Sequence, residues 1–363
     1  MTISIVVIAS AWGTSKGGEN VFNTDWVRAL ALKASIRCFI LQGYTQDIKA
    51  AEAAGVSLSV LDCNENDPEQ MIIERIAALV GPDRPDWWIG HDVHTGALAN
   101  GSRIRHELSG VVHHMDYLSY KSFQGDNNVQ NCSDQQASVL KSTDLILAVG
   151  PRLAKSGRGL ARTGAVLELV PGLPDTTSLP FSDRFRVCIS GRFSDRTEPL
   201  KQMRPVIAAF ADAVKDGRLG ADPVLTIIGT PDVHEVVAFV EARAGRLCNI
   251  VGHTYETDRT RYFELLKQQS VMVVASAYEG FSLVGWEALA AGVPLLLSRN
   301  TGLADLLTQS AWCLRMASDC LTLPAHEKLN HGIVTLKQLH PKWKPASTGC
   351  EGQGEREQYP RTS

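Results

Sequence analysis

Apolar residues in this chain come in short runs, many of them β-branched, separated by longer stretches with helical spacing. The runs at residues 3–9, 36–41, 56–61, 87–89, 111–113, 145–149 and 165–170 are too short for buried helices and read as strands. Amphipathic stretches such as 21–33 lie between most of them. A second series follows at 185–190, 224–228, 248–251, 271–275, 293–298 and 311–314, with a helix expected over 258–268. Strands alternating with helices predict parallel sheets covered on both faces, a doubly wound α/β architecture. Residues 171–180 hold three prolines and a glycine and keep neither period. They divide the chain into a first domain, 1–172, a linker, 173–183, and a second domain, 184–320.

Length and composition agree with two cores, since 363 residues with 44% hydrophobic content can bury both. A net charge of −3 gives no electrostatic reason to expect a nucleic-acid partner. The eight cysteines are scattered without a C-x-x-C pair, which fits a reducing, cytoplasmic setting. The opening MTISIVVIAS lacks a basic leader and its apolar run is too short to span a bilayer. No transmembrane segment is expected, and peripheral membrane contact stays open. After about Met316 the alternation stops, and 341–363 is polar and rich in Gly, Pro, Glu and Lys. Residues 321–363 are therefore expected to be an atypical, disordered tail, with the second domain truncated or replaced at its end and the two domains joined mainly by the linker.

Ligands of such folds gather where a strand ends and a helix begins. The strand at 271–275, a polar loop at 276–282 and a helix from Leu283 to Gly292 make one such place. Helix N-terminal N–H groups, here those of 280–284, favour an anion such as a phosphate. Glu279 in the loop and Glu287 in the helix would repel that anion. They make sense as acceptors for neutral hydroxyls flanking it, as in a sugar joined to a nucleoside through a diphosphate. The plainer reading makes Glu279 a first-turn acid and Glu287 part of a solvated face.

The stretch E-G-F-S-L-V-G-W-E-A-L-A-A-G-V-P, with Glu279 and Glu287 seven residues apart, closely resembles the two-glutamate signature of retaining glycosyltransferases of the GT-B fold, family 4-like. The resemblance covers about residues 1–312. It implies two Rossmann-like domains facing a cleft, and transfer of a sugar from a nucleotide diphosphate sugar to a hydroxyl of a sugar, glycan or other acceptor, with retention. By that resemblance Glu279 touches the donor sugar and Glu287 the ribose, and Gly280, Phe281, Ser282 and Leu283 lie along the donor. Ser282 stands where the signature usually has glycine.

Other loops complete the expected site. Gly17 and Gly18 precede an amphipathic helix, let a backbone approach a ligand closely, and match the family's N-terminal glycine-rich loop. Arg192 and Lys201 bracket the loop after the strand at 185–190, where the family grips the donor diphosphate. Arginine takes two phosphate oxygens at once and lysine is a point charge. The interval between them is longer than usual, and Arg196 is a substitute for the lysine. The family carries a histidine near the transferred sugar, matched by His113 or His114 in V-V-H-H-M-D-Y, with Lys121 a weaker contact. Gly252 and His253 fall where the family runs along the nucleobase.

The histidines of Gly90-His-Asp-Val-His-Thr-Gly96 and His113-His114 invite a metal reading. H-x-x-H in a loop lacks the helical spacing of H-E-x-x-H, and D-x-D is absent. No metal and no cofactor beyond the donor is expected. The competing readings are a non-catalytic nucleotide-sugar-binding protein and a nucleotide-sugar epimerase.

Overall fold

The computed structural model describes every residue except 1, 14–16, 64–66, 102–105, 163, 173–183, 192–196, 231, 310–320 and 324–363. In the first domain the strands are β1 (Ser4–Ala9), β2 (Ser35–Ile40), β3 (Ser57–Val60), β4 (Trp87–His91), β5 (Leu108–His113), β6 (Leu145–Val149) and β7 (Ala165–Leu169). Its helices are α1 (Gly18–Ala31), α2 (Thr45–Glu52), α3 (Glu69–Val80), α4 (Asp92–Asn100), α5 (Tyr117–Gln124), α6 (Val129–Lys141) and α7 (Pro151–Leu160). All strands pair in parallel in the order β3-β2-β1-β4-β5-β6-β7. The continuous burial of β1 is what a central parallel strand requires, whereas edge strand β7 stays half open.

The second domain repeats the scheme. Its strands are β8 (Arg186–Ser190), β9 (Val224–Ile228), β10 (Asn249–His253), β11 (Val271–Val274), β12 (Leu295–Ser298) and β13 (Leu321–Leu323), in the order β10-β9-β8-β11-β12-β13. Its helices are α8 (Glu198–Lys201), α9 (Met203–Lys215), α10 (His234–Ala244), α11 (Arg259–Lys267), α12 (Leu283–Ala290) and α13 (Gly302–Gln309). Each sheet reverses its strand order once, between β1 and β4 and between β8 and β11. A crevice opens outside the strand ends at such a reversal, so the loops after β1, β4, β8 and β11 are the ones placed to hold a ligand.

Several expectations need correction. Residues 91–96 are not a loop, because α4 begins at Asp92, directly after β4. The helix after β8 is broken in two at Gln202, whose φ of 56° is left-handed. The strand expected at 311–314 and the linker 173–183 lie outside the described residues. The second sheet gains β13 beside β12, past the expected boundary at 320.

The domains are also packed together rather than tied mainly by the linker. One apolar cluster takes in Phe22 and Leu153 of the first domain with Phe281, Trp286 and Leu303 of the second. Trp286 Nε1 donates to Pro171 O at 2.9 Å. The ring of Phe281 fills the space beside Gly150, where a Cβ would stand 2.5 Å from it. Large apolar residues in the loop after β11 and in α12 find their burial in the other domain.

Candidate active site

The loop after β11 is held by its neighbour. Glu279 N–H donates to Asn300 O at 3.0 Å, and Gly302 N–H donates to Glu279 O at 3.1 Å. With its backbone fixed on both sides, Glu279 places its carboxylate beside α8. Its Oε1 accepts from Lys201 Nζ and, at 2.8 Å, from Ser276 Oγ. Burial alone would raise this carboxyl, but the Lys201 ammonium and the hydrogen bonds outweigh it and hold it below the ordinary value of 4.5. Lys201 is thus brought onto Glu279 despite the long interval before it. Arg192 and Arg196 lie outside the described residues. Only about 20 Å³ of space remains in the cavity that Lys201, Glu279, Ser276 and Ser190 line.

Past Glu279 the loop touches the first domain. A Cβ on Gly280 would stand 2.5 Å from His114 O and 2.9 Å from the Leu153 side chain, so only glycine fits. Ser282 has φ 95° and ψ 76°, a left-handed conformation that a serine adopts at a cost. A glycine would adopt this conformation without that cost. The first intrahelical bond of α12 runs from Trp286 N–H to Ser282 O at 3.1 Å, so the N–H groups of Leu283, Val284 and Gly285 precede it at the positive end of the helix.

Glu287 lies on α12, and its Oε1 accepts from Arg259 at 2.6 Å. Burial raises its pKa from 4.5 and Arg259 only partly offsets this. Arg259 also sits over the rings of Tyr262 and Phe263, at 5.6 and 5.0 Å. Glu287 and Arg259 line a cavity of about 630 Å³ between the domains, walled by Phe22 and Trp26 of α1 and by Phe263 and Trp286. Gly252 and His253, on edge strand β10, are not among its lining residues. Leu283 meets Gly18 at the start of α1, where a Cβ would be 3.3 Å from Leu283 Cδ1, and Gly17 just before it has φ 103°.

The histidines form two separate groups. Asp92, with a left-handed φ of 37°, is buried. Its Oδ1 accepts from His113 Nδ1 at 2.9 Å and Gln136 Nε2 at 3.2 Å, and its Oδ2 accepts from the N–H groups of His114 and Met115 at 2.8 and 3.0 Å. Burial would raise the Asp92 carboxyl, but His113 and these hydrogen bonds hold it below 3.8. Because a carboxylate only accepts, His113 carries a proton on Nδ1, and its buried Nε2 has no partner among the described residues. His91 bonds Asn23 Oδ1 at 2.9 Å through Nε2 and His114 Nε2 at 2.8 Å through Nδ1. Asn23 Oδ1 can only accept, so His91 donates from Nε2 and accepts from His114 Nε2–H. Burial depresses both rings, His91 well below 6.5 and His114 to about 4, which keeps them neutral. His113 is fully buried and His114 half-buried against Phe22. Among the described residues no three His, Cys, Asp or Glu side chains converge as a metal site. Lys121 pairs with Asp126 at 2.9 Å.

Asp92, Arg259 and Asn23 were missed as site residues. Asp92 stood in the sequence beside His91 and was weighed only as a metal ligand. Arg259 carried no local signal.

Comparison with known proteins agrees with the two-domain arrangement. The putative colanic acid biosynthesis glycosyl transferase WcaC of Escherichia coli (strain K12) is 27% identical over 110 residues, 30% of this chain and 27% of that relative's length. Among solved structures, the sucrose-phosphate synthase of Thermosynechococcus elongatus superposes with a TM-score of 0.67 at 17% identity, covering 93% of this chain and 90% of that one. The apo form of the lipopolysaccharide outer core galactosyltransferase WaaB gives 0.65 at 15% identity, over 93% and 90%. Anabaena HepE, in complex with UDP and glucose, gives 0.64 at 14% identity over the same shares. These likenesses show the GT-B fold. The model of the family 4 glycosyltransferases in conflict systems matches residues 6–328, and the chain belongs to that family.

Proposed function

We propose that this chain transfers a hexosyl group from a nucleotide diphosphate sugar to an acceptor hydroxyl, with retention of configuration and without a metal ion. The observation that carries this is the Lys201–Glu279 pair just before the start of α12. A diphosphate entering here finds the helix N–H groups and a lysine that can leave Glu279 for phosphate oxygens. Glu279, kept ionised by its surroundings, is then free to accept from a sugar hydroxyl. Charge growing on the leaving diphosphate is met by Lys201 and the helix dipole, with Arg192, close by in the sequence, as a further cation. Glu287 accepts from the ribose once Arg259 yields, and the cavity it lines has aromatic walls suited to a nucleobase.

The first domain supplies His113, held at Nδ1 by Asp92; its buried Nε2 meets a sugar hydroxyl only once the residues that cover it move aside. HepE was solved with UDP and glucose, in keeping with a donor of this kind. No helix among the described residues is long and apolar enough to cross a membrane, and a cytoplasmic location is the reading that best suits the scattered cysteines. The test is release of nucleoside diphosphate from a panel of UDP-, ADP- and GDP-sugars, with and without sugar acceptors, in the presence and absence of chelator. Acceptor-dependent release that survives the chelator supports the proposal. Binding of a nucleoside diphosphate with no release from any donor would instead identify a non-catalytic nucleotide-sugar-binding protein.

A further inference from the structure

Glu279 belongs to the second domain, and side chains of the first domain help to hold its loop in place. Tyr278, the residue before it, stacks on Phe123 of α5 with ring centroids 6.2 Å apart. Its other neighbour is Arg152 of α7, whose guanidinium lies 5.8 Å from the ring centroid. Arg152 also grips Asp305 with two prongs, Nε to Oδ2 at 2.7 Å and Nη2 to Oδ1 at 2.9 Å, and donates from Nη2 to Arg299 O at 2.9 Å. The segment from Arg299 to Asp305 is the one that fixes the Glu279 backbone through Asn300 O and Gly302 N–H. One first-domain side chain therefore acts on Glu279 by two routes, through the preceding ring and through the neighbouring loop.

We propose that Arg152 is a positioning residue for glycosyl transfer: its clasp on Asp305 and Tyr278 holds the Glu279 loop against the first domain. The proposal rests on the reading of Glu279 as the donor-sugar contact. A planar fork matched to a carboxylate fixes direction as well as distance, which a lysine could not do. The clasp makes no direct contact at the nucleoside end of the donor, since neither Arg152 nor Asp305 lines the cavity at Glu287. It should therefore govern turnover and cleft closure, and change nucleotide affinity far less.

The test uses the full chain in four forms: wild type, Arg152→Ala, Arg152→Lys, and the exchange Arg152→Asp with Asp305→Arg. UDP, ADP and GDP binding is measured by calorimetry, kcat by nucleoside diphosphate release from the corresponding sugars, and the separation of the domains by small-angle scattering. Arg152→Ala should lower kcat by ten-fold or more, weaken nucleoside diphosphate affinity by much less than it lowers kcat, and increase the radius of gyration. Arg152→Lys should recover little of the loss, and the exchange should recover most of it. An unchanged kcat, a loss of nucleotide affinity that matches the loss of kcat, or an exchange no better than Arg152→Ala would overturn the proposal. If the wild-type chain released nothing from any donor, that failure would fall on the transferase reading. Scattering would then decide the clasp, an unchanged radius in Arg152→Ala ruling it out and an expansion restored by the exchange upholding it.

Discussion

Lys201 and Glu279 are paired within a nearly filled space, the lysine from the end of α8 and the glutamate from the loop after β11. In the proposed transfer each is the group the other's ligand must replace, since the lysine would be wanted by a diphosphate and the carboxylate by a sugar hydroxyl. The pair keeps both charges satisfied before a donor arrives, and a buried charge left alone is costly.

Removing the lysine should expose that cost. The Glu279 carboxyl is depressed below 4.5, so its contribution to stability is present above that pH and is lost as pH falls through the still lower folded value. In Lys201→Met the burial remains and the ammonium is gone, so the carboxyl moves upward. The variant should lose about 3 kcal/mol near neutral pH and recover part of it on acidification, as its carboxyl protonates. Thermal unfolding of both proteins between about pH 3 and pH 7 gives the comparison. Parallel curves would mean that the pair does not govern the titration of Glu279.

The two glutamates should fail differently. Glu287→Ala ought to weaken binding of free UDP, ADP or GDP by about ten- to a hundred-fold, the range for hydrogen bonds to a charged group. Glu279→Ala should spare the free nucleoside diphosphate and weaken the sugar conjugate. Calorimetry with both ligands on both variants reads the division, and equal losses throughout would dissolve it.

Ser282 makes a third case, in which stability and function should part company. Glycine adopts φ 95° without strain, so Ser282→Gly should stabilise the protein by about 1 kcal/mol. Ser282→Ala keeps the strain and should not. Urea unfolding of the two variants separates conformational strain from any effect of the hydroxyl, and a Gly variant less stable than wild type would show that the serine side chain compensates for its backbone.

The strands of both sheets, β13 apart, were legible because buried parallel strands are short β-branched runs, and the family was legible because the stretch at 279–287 is contiguous. What could not be read was set by contacts distant in sequence. Nothing near Arg259 announces Glu287, and Arg152 meets Asp305 only because the folded domains bring α7 against α13. The start of α4 was hidden for a different reason. His91, Asp92 and His94 are polar residues at a helix beginning, with no apolar period to mark it, and the left-handed Asp92 appears only in the backbone. Likewise, the sequence allowed either His113 or His114 at the site. Alternation along β5 gives them different partners, Asp92 for one and His91 for the other.

That difference yields the last prediction. Asp92 Oδ1 accepts from both His113 Nδ1–H and Gln136 Nε2, so the tautomer of His113 is dictated from behind, and its Nε2 is left as an acceptor. In Asp92→Asn, the amide oxygen is best kept toward the His114 and Met115 N–H groups that Oδ2 now serves. The amide nitrogen then faces His113, which must move its proton to Nε2 in order to accept at Nδ1. Gln136, also a donor at this position, loses its acceptor. The substitution should cost about 2 kcal/mol of stability, the scale for unpairing a buried polar group. It should also turn His113 Nε2 from acceptor to donor, lowering turnover by about a hundred-fold, within the range for a misplaced acid–base group. UDP affinity should stay unchanged, because Asp92 is not among the residues that line the cavity at Glu287. Nitrogen-15 shifts of the His113 ring in wild type and variant report the tautomer directly. A ring that keeps its Nδ1 proton in Asp92→Asn, or turnover that does not change when the tautomer does, would remove His113 from the reaction and leave Asp92 as a structural cap for β5.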